Sequence, residues 1–205
     1  VLFPRAMMPL RIFEDRYRQM LDQCLMDNRM FAIFAEREDV IPEQEHLELS
    51  HLIGTVGLVR VSKKHDDGTS FVLLQGLRRV RMKSISQEHP YRVLEVELYE
   101  STAANSIDHY RSLLTKELHR NMNLGGVVTS EMIEFLIPLE DQDAFIDLTA
   151  YSICQKTLLK QSILEEKNLC TRTSMLLEDL KNENDKLALV NEALGGNCEE
   201  DLGSN

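Results

Sequence analysis

The chain has no apolar run near the roughly 20 residues that a bilayer-spanning helix needs. Its amino terminus has no charged segment followed by an apolar block and a small-residue cleavage site. No transmembrane helix and no secretory signal are therefore expected. The four cysteines, Cys24, Cys154, Cys170 and Cys198, are widely spaced, form no Cys-x-x-Cys pair and have no His at ligand spacing. That pattern fits buried free thiols in a reducing cytoplasm rather than a disulfide frame or a zinc site. No Gly-x-x-x-x-Gly-Lys-Ser/Thr run is present to cradle phosphates, so nothing supports ATP hydrolysis. The six histidines are scattered through mostly polar segments and are expected to be solvated rather than bases or ligands. No catalytic, metal-binding or cofactor-binding residue is assigned, and no enzyme activity is expected. An initiator Met is also missing. Val1-Leu2-Phe3-Pro4 has the character of strand interior, from which we expect further residues before Val1.

What the chain has is enough apolar residue, 43% of 205, to bury one good core or two small ones. The net charge of −11 is uneven: residues 1–100 hold 14 basic and 16 acidic side chains, residues 101–205 hold 9 and 18. An acidic second half disfavours wrapping nucleic acid, which needs clustered Lys and Arg.

Periodicity divides the chain near Ser101. Tyr17, Met20, Leu21, Cys24 and Leu25 recur as the stripe of an amphipathic helix, with Tyr17 beginning the inward face. Met30–Ala35 is expected as a strand, and Glu36–Ser50, polar and Glu-rich with Pro42, as a loop. Strands are expected over Leu52–Val61, Phe71–Leu74, Arg78–Ile85 and Tyr91–Leu98, with His65-Asp66-Asp67-Gly68 as a hairpin loop and Gly76 at a bend. After residue 101 the pattern is helical. One helix starts near Ile107 and stops at Gly125-Gly126; a short one is capped by Thr129 or Ser130 and ends by Pro138. Asp141–Leu159 forms a third. Ser162 with Glu165 fits a capping box, opening a long helix to about Val190 that packs on its own bundle. Gly195–Asn205 is expected to be a disordered acidic tail. The fold class is α+β: a twisted β-barrel or sandwich domain over 1–100, then a helical bundle over 101–194.

Met8–Tyr17 runs Met-Pro-Leu-Arg-Ile-Phe-Glu-Asp-Arg-Tyr. Pro9 fixes an extended approach, Leu10, Ile12 and Phe13 offer apolar surface for a core, and Glu14 suits the positive end of a helix dipole. This run, with Arg16 and Tyr17, resembles the Pro-Leu-x-Ile-Phe-Glu-x-Arg-Tyr signature of the amino-terminal domain of Lon proteases. Ile53-Gly54-Thr55-Val56-Gly57, Asp67-Gly68 and Gly76-Leu77-Arg78-Arg79 are similar to further elements of that family, in the same order. So is Lys160-Gln161-Ser162-Ile163-Leu164-Glu165 followed by Arg172. The resemblance covers about residues 1–180 and implies a PUA-like β domain followed by helices. Two departures stand out: Thr173 replaces the Leu that usually follows Arg172, and Gly195-Gly196 with an acidic tail replaces a coiled segment leading to an ATPase module. The second leads us to expect a stand-alone domain protein.

The resemblance implies a non-enzymatic module that recognises unfolded or partly folded polypeptide. The alternatives are an interaction domain for one folded partner in a proteolysis or quality-control pathway, or an RNA-binding PUA-like module. Candidate contact residues are Met7, Met8 and Met30, whose side chains adapt to many apolar partners, and Arg79, Arg81 and Lys83. The last three alternate along one strand face, where a plain solvated face is the competing reading.

Overall fold

The structure is a computed structural model that describes residues 1–37, 50–102 and 107–196. Most of the expected Glu-rich loop with Pro42 and His46, and the tail from 197 with Cys198, lie outside the described residues. The chain forms two compact units. One is Val1–Ser101 with Lys156–Lys167; the other is Thr102–Gln155 with Asn168–Asn205. The helix within 156–167, expected in the bundle, belongs to the β unit.

In the β unit an antiparallel sheet is built from β1 (Met7–Ile12), β2 (Met30–Ile33), β3 (Ile53–Lys64), β4 (Ser70–Gln87) and β5 (Val93–Leu98). Its order is β1-β4-β3-β2, and β5 pairs the far half of β4. Helix α1 (Asp15–Met26) links β1 to β2. Asp67 and Gly68 turn the β3–β4 hairpin. Gly68 sits at φ +80, open to a residue without Cβ, and the Asp67 carboxylate accepts from the Thr69 amide and hydroxyl at 2.9 and 2.7 Å. Those bonds hold the Asp67 carboxyl below its usual range.

Several expectations need correction. Val1–Pro4 is not strand: Leu2 and Phe3 are buried in an irregular segment that reaches the sheet at Gly76, where Arg5 N donates to Gly76 O at 2.7 Å. Phe71–Leu74 and Arg78–Ile85 are one strand of 18 residues, because a bulge opposite Val56 absorbs the irregularity beyond Gly76 without ending the pairing. Phe13 is 62% exposed and not core. Tyr17 is also exposed, with the Arg16 guanidinium 4.6 Å from its ring centroid and Arg16 donating to Glu14 at 2.8 Å. The fully buried residue of α1 is Leu21. Leu21→Ala is therefore expected to cost about 3 kcal/mol, and Tyr17→Ala under about 1 kcal/mol. Urea unfolding of the two variants checks the order, and equal losses would contradict it.

The helical unit holds α2 (Ile107–Asn123), α3 (Ser130–Leu136), α4 (Gln142–Ile153) and α6 (Leu169–Gly196). Thr129 caps α3, its hydroxyl accepting from Met132 N, and Asp141 caps α4, accepting from Ala144 N. Every residue from Ala144 to Ala150 is buried, so α4 is the central helix of the unit. Arg172 of α6 is fully buried and donates to Asp143 and Asp147, each at 3.0 Å. Thr173 is equally buried and its hydroxyl donates to Leu169 O at 2.7 Å, which accounts for a Thr in an apolar site. The inward stripe of α6 runs through Leu176, Leu177 and Leu180 to Asn184, whereas Val190 and Leu194 are exposed.

The third expected helix is two. α4 ends at Cys154, and α5 (Thr157–Glu165) starts after Lys156, both caps being extended. Ser162 is thus inside α5 rather than a cap. The long helix opens instead at Asn168, whose side chain accepts from Cys170 N and Thr171 N at 2.9 and 3.1 Å.

Candidate functional site

Alternation along β1 puts Met7, Pro9 and Arg11 on one face and Met8, Leu10 and Ile12 on the other. Register carries that phase across the sheet. Met7 opposes Gln75, Gln75 opposes Leu58, and Leu58 opposes Met30. Opposed residues of antiparallel strands share a face, so these side chains form one row over four strands. Beside it lie Pro9, Leu73 and Val61, then Arg11, Phe71 and Lys63.

The two faces differ in burial. Thr55, Val59, Val72 and Leu74 on one side are core, while Met7, Met30, Phe71 and Val61 on the other are 38%, 39%, 41% and 48% exposed. Leu58 and Leu73 are half-buried among them. An apolar sheet face is thus left open to solvent, where scattered single residues would need no explanation.

Met30, Ala32 and Val56 of this face also line a groove of about 650 Å³, with Met20 and Cys24 of α1 and Val96 of β5. Burial pushes the Cys24 thiol up, Arg29 and Asp27 acting in opposite senses after it. The group stays a neutral thiol near pH 7, which suits an apolar wall and not a nucleophile. Among the described residues, no group of His, Cys, Asp and Glu could hold a metal ion, no disulfide joins the cysteines, and no helix is long and apolar enough to cross a membrane.

The sequence candidates divide between the faces. Met7 and Met30 stand together in the row, and Met8 is half-buried on the core side. Arg79 pairs with Thr55, out of phase with Val56 and Leu58, and is therefore on the core side too. It is buried, and its Nε donates to Leu164 O at 3.1 Å, so the solvated-stripe reading fails there. Arg81 and Lys83 are exposed but share Glu97 at 3.9 and 3.7 Å. Arg81 also lies 4.8 Å from the Tyr99 ring centroid.

Arg79 belongs to the seat of α5. Gln161 Nε2 donates to Ile53 O at 3.0 Å and to Glu165 Oε1 at 2.8 Å, His51 Nδ1 meets Glu165 Oε1 at 2.8 Å, and Tyr99 donates to Glu165 O at 2.8 Å. Leu164 is buried beside them. His51 is thus a half-buried partner and not the solvated residue expected. A larger groove of about 970 Å³ opens here, lined by His51, Arg81, Tyr99 and Glu165, of which His51 and Tyr99 are both bonded to Glu165. The apolar face is the candidate surface instead.

Phe71, Val61 and Leu73 complete that face and were not singled out from sequence. Their signal was present: Phe71–Leu74 is a continuous apolar run, so a strand there carries apolar side chains on both faces.

A family described as the ATP-dependent protease La (LON) substrate-binding domain matches residues 1–182. Lon protease of Clostridioides difficile (strain 630) is 29% identical over 195 residues, which cover 92% of this chain and 25% of that protein. Lon protease of Brevibacillus choshinensis is 28% identical over 192 residues, 92% of this chain and 24% of that protein. The chain thus spans about a quarter of the length of these relatives. Among solved structures, the N-terminal domain of Mycobacterium avium complex Lon protease superposes with a TM-score of 0.65 at 18% identity, over 89% of this chain and 92% of that one. The Lon N-terminal domain protein from Xanthomonas campestris gives 0.60 at 21% identity, over 87% and 92%. The α+β fold is therefore that of Lon N-terminal domains, and the chain belongs to the Lon substrate-binding domain family.

Proposed function

We propose that this chain is a non-enzymatic recognition module that holds exposed apolar segments of unfolded polypeptide on the open face of its sheet. The observation that carries the reading is the row Met7–Gln75–Leu58–Met30 with Phe71, Leu73 and Val61 beside it, apolar except for Gln75, with Met7, Met30, Phe71 and Val61 exposed above a closed core. The family's substrate-binding description supports it. Two of the anchors are methionines, whose unbranched side chains repack against varied partners.

A single face of this kind binds weakly. Ordering a flexible segment costs several kcal/mol, so a Kd on the order of micromolar or above is expected. Fluorescence anisotropy with a labelled, reduced polypeptide measures it. ATP with magnesium should leave the titration unchanged, and the polypeptide should be recovered intact. Phe71→Ser combined with Val61→Ser should weaken binding about tenfold, the loss of two apolar anchors. The unfolding midpoint should barely move, because both side chains are exposed. Absence of binding at roughly 50 µM, or unaltered binding by the double variant, would reject the reading.

A further inference from the structure

The open face carries charge of one sign. Arg11, Arg60, Lys63 and Arg78 stand on or beside it, Arg60 through its bond from Nε to Gln75 Oε1 at 2.6 Å and Arg78 through its pairing with Val56. No Asp or Glu occupies this face of β1, β2, β3 or β4. The nearest acid in the contacts of these four is Asp67, in the hairpin turn, 3.4 Å from Arg11. In a chain of net charge −11, a strand face with four cations and no acid of its own, bordered by Asp67 in the turn and Asp27 at the adjoining groove, runs against the background.

We infer that this face selects polypeptide segments whose apolar residues are flanked by aspartate and glutamate. The inference rests on the polypeptide-binding reading above and adds the class of segment. An apolar run docked on Met7, Leu73, Phe71 and Val61 places its flanks over Arg11 at one edge and Arg60 and Lys63 at the other. Acidic flanks meet cations there, and basic flanks are repelled. Each exposed pair is worth on the order of a twofold change in affinity, so three together give about tenfold. RNA would also meet the cations, but among the described residues of β1–β4 Phe71 is the one aromatic on this phase, with Tyr91 at the adjoining groove, where single-strand binders use several in a row.

Three unstructured peptides with the same central apolar run, flanked by Asp/Glu, by Ser/Gly or by Lys/Arg, test this by anisotropy. At low salt the acidic-flanked peptide should bind about tenfold tighter than the basic-flanked one. The gap should shrink at roughly 0.5 M salt. In the triple variant Arg11→Gln, Arg60→Gln, Lys63→Gln it should fall within about twofold, while the neutral peptide binds as before. Equal affinity for all three at low salt would overturn the charge selection and leave the polypeptide-binding reading standing. No binding of any of them would overturn both. Tighter binding of a single-stranded RNA oligomer than of the acidic peptide would assign the cations to RNA instead.

Discussion

Arg172→Ala should be the most damaging single change in the helical unit, at about 3–5 kcal/mol. The guanidinium is fully buried and holds Asp147, itself 1% exposed, at 3.0 Å. Removing it leaves a carboxylate in the interior with its cation gone, and that desolvation cost is larger than the value of the pair. Asp143, at the same distance but about a third exposed, can turn to water and contributes less. The sign reverses when both charges go. Arg172→Met with Asp147→Leu should recover most of the loss, since apolar residues of similar volume often replace a buried ion pair at little cost. Denaturant unfolding of the two single variants and the double variant measures the coupling; additive losses would mean that the pair is not the unit.

Gly76→Ala should cost about 4 kcal/mol in the β unit, by a different mechanism. A Cβ there would stand 2.0 Å from the Phe3 carbonyl oxygen and 2.9 Å from its carbon, backbone atoms that no rotamer change can move aside. The segment before β1 would have to lift. It would then lose the bonds from Arg5 N to Gly76 O at 2.7 Å and from Gly76 N to Ala6 O at 2.9 Å, and would uncover Leu2 and Phe3. Thermal unfolding of the variant, with proteolysis near residues 1–6 as a local readout, checks this; a stable variant with an intact amino-terminal segment would contradict it.

Local pattern made much of the fold legible. The period change near Ser101, the Asp67-Gly68 turn and the stop of α2 ahead of Gly125 are written in neighbouring residues. What escaped was set by distant parts of the chain. Nothing at 154–156 is a Gly or Pro, so the break between α4 and α5 has no local sign. It exists because Gln161, Leu164 and Glu165 seat α5 on Ile53, Arg79, His51 and Tyr99. The same seat explains why a Gln and a Glu stand at those positions of the motif: both satisfy backbone or imidazole groups of the sheet. Tyr17 misled because a stripe gives the direction of a helix face but not how far along it the neighbour reaches. The open face was half legible, since Met7 and Met30 were named while the register that aligns them is a property of four strands together.

On the proposed reading one face, and not the apolar surface in general, receives polypeptide. Methyl NMR of the methionines with an unfolded, reduced polypeptide added tests it most directly. Met26 is 88% exposed at the end of α1 and absent from the row, so it serves as an internal control. The Met7 and Met30 methyl signals should shift together along one binding isotherm while Met26 stays in place. Shifts of Met26 as large as those of Met7, or a shift of Met30 without Met7, would contradict it.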